Sequence, residues 1–128
     1  MNSLEIVVLG SPGERREELS STIRTIGHTP VPTDSEFAGT GDVLLVDLDT
    51  SPTEATLQDA ELDSRPMLVV AGRVSSELRR LMARPGDTML VTDPSEGGLR
   101  TALATASGLV ARHRAAPGRA LAWMAAAS

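Results

Sequence analysis

The 128-residue chain contains no lysine, no cysteine and no tyrosine, and Phe37 and Trp123 are its only aromatic residues. Each absence removes a class of chemistry. Without lysine there is neither a Schiff-base enzyme nor a phosphate-binding loop ending in Gly-Lys-Ser/Thr. Without cysteine there is no disulfide framework, thiol catalysis, zinc finger or iron–sulfur cluster. Two aromatics do not make a stacking platform for single-stranded nucleic acid. Twelve arginines against 17 acidic residues leave a formal net charge of −5, which speaks against nucleic acid as a partner of the whole chain. No 18-residue apolar run is present to span a membrane. The opening Met1-Asn2-Ser3-Leu4-Glu5 lacks the basic flank of a signal peptide, so the cytoplasm is the expected location.

The 41% of apolar residues suffices for a core, and the length suits one domain. Four short apolar runs, Ile6–Leu9, Val43–Val46, Met67–Ala71 and Met89–Val91, do not alternate with polar residues. That pattern is expected of strands buried on both faces of a parallel sheet. A fifth run, Thr29–Thr33, carries Pro30 and Pro32 and belongs at a sheet edge, because proline cannot donate to a ladder.

Helix signals fill the intervals. Ser11-Pro12-Gly13-Glu14, Ser51-Pro52-Thr53-Glu54 and Asp93-Pro94-Ser95-Glu96 each read as a capping residue, a proline at the first helical position and a glutamate three residues past the cap. Leu19, Ile23 and Ile26 share one face of the first helix, which Gly27 is placed to end. Leu78, Leu81 and Met82 form a second stripe, and Leu99, Ala102, Leu103, Ala106, Leu109 and Val110 a third of about three turns. Residues 1–114 form the expected domain. Residues 115–128, with Pro117, Gly118 and an alanine-rich end, read as a linker, a short extra helix or a chain end. Strands alternating with helices give an α/β fold, a flavodoxin-like doubly wound five-stranded parallel sheet. With the proline-bearing strand at an edge the order is 2-1-3-4-5, and the ligand crevice lies beyond the carboxyl ends of the first and third strands. Gly10, Ser11 and Asp47 to Asp49 fall there.

At this point the chain resembles the receiver domain of bacterial response regulators. Ile6-Val7-Val8-Leu9 matches the first strand. Asp42-Val43-Leu44-Leu45-Val46-Asp47-Leu48 matches the stretch that ends in the phosphoacceptor aspartate. Pro66 to Ala71 matches the fourth strand, and Gly86 to Pro94 the fifth. The resemblance covers roughly residues 4 to 114 and makes Asp47 the phosphoacceptor candidate. It further implies an acidic pair holding Mg²⁺, a hydroxyl after the fourth strand and a lysine after the fifth, which together neutralise a phosphoryl group. Here the acidic pair is replaced by Gly10 and Ser11, the hydroxyl by Ala71, and the lysine by Thr92 or Asp93. The aromatic switch position falls on Met89. The resemblance is therefore to a degenerate, pseudo-receiver form.

Single residues have plainer readings beside the functional ones. Asp47 is either a phosphoacceptor or an acid that caps the loop after its strand. Asp49 is a solvated loop acid, and Mg²⁺ would bind only if Asp47 and Asp49 sufficed. No other cofactor or metal is expected. Ser11 and Asp93 are helix caps and His28 an exposed turn residue. His113, between Arg112 and Arg114, belongs to a solvated helix end. Gly97-Gly98 is costly in a helix, and close packing or a loosened first turn would explain it.

The leading expectation is a non-enzymatic signalling domain that works by protein contact. The resemblance to receivers, whose fourth helix, fifth strand and fifth helix mediate dimerisation and output, implies a surface drawn from Ser75–Arg84, Met89–Val91 and Leu99–Arg112, with Arg79, Arg80, Arg84 and Arg100 open for pairing. The partner would be a histidine kinase, a phosphotransfer protein or an output module. A homodimer is also open, with Leu121, Trp123 and Met124 as one possible surface. One alternative is a working receiver, phosphorylated on Asp47, that controls a transcriptional or ATPase module. Another is a flavodoxin-like binder of a small molecule, though Gly10–Gly13 lacks the Ser/Thr-rich cradle a flavin phosphate needs.

Overall fold

Four-residue apolar runs with no polar face can be satisfied only by burial from both sides, and the computed structural model of the chain places them in that way. It describes residues 3–9, 13–33 and 38–127, with side chains as far as residue 112. The elements in chain order are β1 (Glu5–Leu9), α1 (Glu14–Ile26), β2 (Thr29–Pro32), β3 (Val43–Asp47), α2 (Glu54–Leu62), β4 (Met67–Val70), α3 (Ser76–Met82), β5 (Thr88–Val91) and α4 (Glu96–Ala127). All pairings are parallel and the sheet order is β2-β1-β3-β4-β5. The flavodoxin-like order expected from the sequence is the observed one, with the proline strand at an edge.

Alternate residues of each strand enter separate halves of the core. Ile6, Val8, Val43, Leu45, Leu68 and Val70 pack beneath α1 and α4 against Leu19, Ile23, Leu99 and Leu103. Val7, Leu44, Val46, Met67 and Val69 face Leu57, Leu78 and Leu81 of α2 and α3. Full burial of a side chain such as Ile23 or Leu103 contributes about 1.5–3 kcal/mol, so the two faces carry most of the stability. The third stripe is buried as expected from Leu99 to Val110, whereas Met82 lies exposed. The backbone of α4 continues as helix through Pro117 to Ala127. The side chains of His113, Leu121, Trp123 and Met124 lie outside the described residues.

The helix ends need three corrections. The caps are not Ser11, Ser51 and Asp93. The helices start two residues later, with Gly13 and Thr53 at the cap positions of α1 and α2, and with Ser95 preceding α4. Ser11 itself lies outside the described residues. Ser51 is excluded because its backbone, at φ 51°, closes the 3-10 turn Leu48–Thr50, whereas a cap needs extended geometry. Thr53 Oγ1 instead accepts the N–H of Thr56 at 3.2 Å. The Asp93 carboxylate accepts the N–H of Ser95 (3.1 Å) in a turn across Pro94, and Ser95 Oγ takes the N–H of Gly98. At the far end of α1 Gly27 adopts φ 110° as expected. The N–H of Gly27 reaches the Arg24 carbonyl and that of His28 the Ile23 carbonyl, a Schellman arrangement.

His28 is not an exposed turn residue. It is 7% exposed, and its Nδ1 accepts the N–H of Leu4 at 3.0 Å, so it satisfies the main chain just before β1. Among the described residues strand–helix alternation is interrupted once. Between β2 and β3 the described residues contribute only the 3-10 turn Ala38–Thr40. So short a connection has little room for a crossover helix. Arg65 fastens this link, donating to the carbonyls of Ala38 (2.8 Å) and Gly41 (3.1 Å), while Gly41 packs where a Cβ would collide with Val7.

Candidate functional site

The order 2-1-3-4-5 brings the carboxyl ends of β1 and β3 together, and Asp47 ends β3 there with 3% of its side chain exposed. A buried carboxylate needs partners for both oxygens. Oδ1 accepts the N–H of Asp49 at 3.1 Å, and Oδ2 accepts Arg15 Nε at 2.8 Å. The Asp47 carbonyl takes the hydroxyl of Thr50 at 2.8 Å, which holds the following turn. Arg15 projects from the first turn of α1, where the helix dipole disfavours a cation, and Glu14 and Glu17 supply the favoured sign. The ion pair with Asp47 offsets that cost. It also narrows the crevice: the space bounded by Val8, Arg15, Leu19, Asp47 and Thr50 measures about 10 Å³, room for about one water molecule.

Among the described residues, the other expected site positions bring no side chain to Asp47 by hydrogen bond. Asp49 is exposed, and its Oδ1 accepts the N–H of Gly72 (3.1 Å), tying the end of β3 to the end of β4. Ala71 is buried, brings no side-chain oxygen, and its N–H donates to the Val91 carbonyl. Thr92 and Asp93 are exposed, and the Asp93 carboxyl is held below its usual range by the Ser95 hydrogen bonds. Gly10 and Ser11 lie outside the described residues. Among the described residues no cluster of three potential ligands exists for a metal. Of the two carboxylates, Asp47 is paired with Arg15 and Asp49 is turned toward Gly72. A second cleft of about 190 Å³ opens beside it, past β3 and β4, lined by Asp49, Arg73, Ser75 and Glu77. Its Ser75 hydroxyl is occupied in capping α3.

Of the residues expected to form an interaction surface, Arg84 is a correction. It is 6% exposed, and its guanidinium donates to the carbonyls of Asp63, Arg65 (2.7 Å) and Asp87 (3.0 Å) and to Thr88 Oγ1 (3.1 Å). Burial pushes its pKa down. A planar fork that serves four acceptors on the turns leading into β4 and β5 belongs to the interior, which is why Arg84 is not available to a partner. Arg80 is bonded within the chain, bridging Glu54 (2.8 and 2.9 Å) and Glu61 and so joining α2 to α3. Its hydrogen bonds hold the Glu54 carboxyl low. Arg100 pairs with Glu96 one turn away at 2.6 Å. Arg79 is exposed, and Met89 is half-buried against the α1–α4 side of the core.

Arg15, the ion-pair partner of Asp47, is the site residue the sequence reading missed. Its signal was present: in a chain without lysine, arginine is the permanent cation available to Asp47, and Arg15 stands in a helix turn whose dipole opposes it.

A scan against protein-family models and a search of curated proteins each return no match. Among solved structures, the chain is similar to the crystal structure of the anti-anti-sigma factor PhyR from Bartonella quintana. The TM-score is 0.58 at 15% identity, over 94% of this chain and 52% of that one. The fold is receiver-like. The chain spans about half the length of that protein. Among the described residues no helix is long and apolar enough to cross a membrane.

Proposed function

We propose that the chain is a pseudo-receiver, a cytoplasmic signalling domain that acts by protein–protein contact and is not switched by Mg²⁺-dependent phosphorylation of Asp47. The observation that carries this reading is the Arg15–Asp47 pair. A phosphoacceptor needs a free carboxylate oxygen, a metal beside it and room for the incoming group. Oδ2 of Asp47 is held by Arg15 at 2.8 Å and Oδ1 by a backbone N–H, and the crevice beside them holds about one water molecule. Arg15 acts as a permanent counter-ion in place of a metal, and Asp47 becomes a tie between α1 and β3. The likeness to an anti-anti-sigma factor supports a regulatory role over a catalytic one. With the phosphate chemistry lost, an output module or other protein target suits the domain better than a phosphodonor does.

The test is incubation with a small phosphodonor and Mg²⁺, read by intact mass. The wild-type mass stays unchanged. A stoichiometric adduct that disappears in Asp47→Asn would overturn the reading and restore a phosphorylated receiver.

A further inference from the structure

The two edges of the sheet are finished in opposite ways. On β2 the N–H of Thr29 donates to the Leu4 carbonyl at 2.9 Å, so Thr29 and Val31 turn their main chain toward β1. The alternate positions, Pro30 and Pro32, face outward and have no N–H to offer, which closes this edge to a further strand. On β5 the main chain turned toward β4 belongs to Asp87, Met89 and Val91. The Met67 N–H donates to the Asp87 carbonyl (2.9 Å) and the Ala71 N–H to that of Val91 (3.2 Å). By the same alternation Thr88 and Leu90 present their N–H and C=O groups to the outside, and no proline or charged residue interrupts the run Thr88–Val91. Leu90 is 43% exposed.

Beside this open edge lies a cleft of about 320 Å³ between β5 and α4. Met89 and Val91 form one wall, and Gly98, Thr101 and Ala102 the other. The Thr101 hydroxyl donates to the Gly97 carbonyl (3.1 Å) and needs no outside partner. Among the described residues Asp93 is the only charged one lining the cleft, and Asp87 borders the opposite end of the strand. Two copies of β5 laid antiparallel would bring acids together at both ends, which opposes self-pairing. A basic partner is favoured instead.

We propose that β5 is a docking edge for an extended segment of a partner protein, which adds a sixth strand, sinks alternate apolar side chains into the β5–α4 cleft and sets a basic residue against Asp93. The main chain supplies adhesion, and the cleft and Asp93 supply selection. This deepens the function proposed above by giving the class of partner, and rests on it only in that the domain works by contact.

The probe is a blocked octapeptide of alternating valine and threonine ending in two arginines, with a twin ending in two glutamates. Amide exchange and chemical shifts are followed by NMR. Saturating arginine peptide slows exchange at Thr88 and Leu90 about tenfold or more, and the glutamate twin binds about tenfold more weakly. Asp93→Asn, which keeps the turn at Ser95, erases that preference. Leu90→Pro removes an outward N–H while sparing the ladder to β4, and abolishes the slowing at Thr88. Thr101→Trp fills the cleft from an exposed helix position and weakens binding, which keeps the proposal testable should Leu90→Pro fail to fold. Protection confined to another face, or equal binding of the two peptides, overturns it. So does protection of Leu90 that grows with protein concentration in the absence of peptide, the sign of a second copy. All these outcomes read the β5 edge and leave the phosphodonor result standing, so the two proposals fail separately.

Discussion

Replacing Arg15 by methionine keeps an unbranched side chain over the crevice and deletes the cation that faces Asp47. The carboxylate left behind is 3% exposed and retains one hydrogen bond, from the Asp49 N–H. Breaking a fully buried ion pair costs about 3–5 kcal/mol. A hydrogen bond to a charged group is worth about 1.5–3 kcal/mol. Arg15 is itself 37% exposed, so water replaces part of what it supplied, and the lower range applies. The expected loss is about 2 kcal/mol. With a urea slope of about 1.5 kcal/mol per molar, the unfolding midpoint read by circular dichroism falls by about 1.3 M. Asp47→Asn keeps an acceptor for Asp49 but gives Arg15 a neutral partner, and costs about 1 kcal/mol in the wild type. In the Arg15→Met background the same change costs close to nothing, because no cation remains to be deserted. The double-mutant cycle therefore shows a coupling of about 1 kcal/mol. Additivity within about 0.4 kcal/mol, or a midpoint shift for Arg15→Met below about 0.3 M, would refute the claim that Asp47 is held by Arg15.

The neutral Nδ1 of His28 accepts a bond from Leu4, and burial lowers its pKa from the usual 6.5. The unfolded chain then binds the proton first, so stability is full above that value and falls as the pH drops below it. Urea midpoints compared on the two sides of the histidine range should show this loss, and His28→Gln should reduce it. Gly97 and Gly98 are neighbours with opposite expectations. Gly97→Ala, in open space, raises stability by about 0.5–1 kcal/mol through helix propensity. Gly98→Ala drives a Cβ into the Asp93 carbonyl and lowers it by about 1–3 kcal/mol, both read as melting temperatures. Arg84→Lys loses the fork that serves the Asp63, Arg65 and Asp87 carbonyls and costs about 2–4 kcal/mol, whereas Arg79→Lys on the surface stays within about 0.5 kcal/mol. Equal midpoints for the two variants would remove Arg84 from the interior.

The strands were legible because their burial is written in consecutive residues. Val43–Val46 and Met67–Val70 have no polar face, and that pattern means cover from both sides. Gly27 was legible because one conformation at one position ends the helix. The caps were off by two residues because Ser51 and Asp93 have the right chemistry for a cap, yet their atoms are engaged by the turns that leave β3 and β5. Arg84 was read as surface because the resemblance to receivers puts Ser75–Arg84 on an interaction face. Its carbonyl partners at Asp63 and Arg65 lie about twenty residues away and come within reach only when β4 and β5 pair.

The same division holds for the site. The sequence alone determined the order of the sheet, the proline-blunted edge at β2, the acid at the end of β3 and the impossibility of a lysine beside it. These follow from residue type and short-range spacing. Only the tertiary structure decided what becomes of Asp47, whose cation comes from Arg15, 32 residues earlier, across the junction of β1 and β3. It alone showed that β5 is left open beside a cleft. Propensity and periodicity act over a few residues, whereas the partner of a buried charge and the exposure of a strand edge depend on which distant segments the closed sheet brings together.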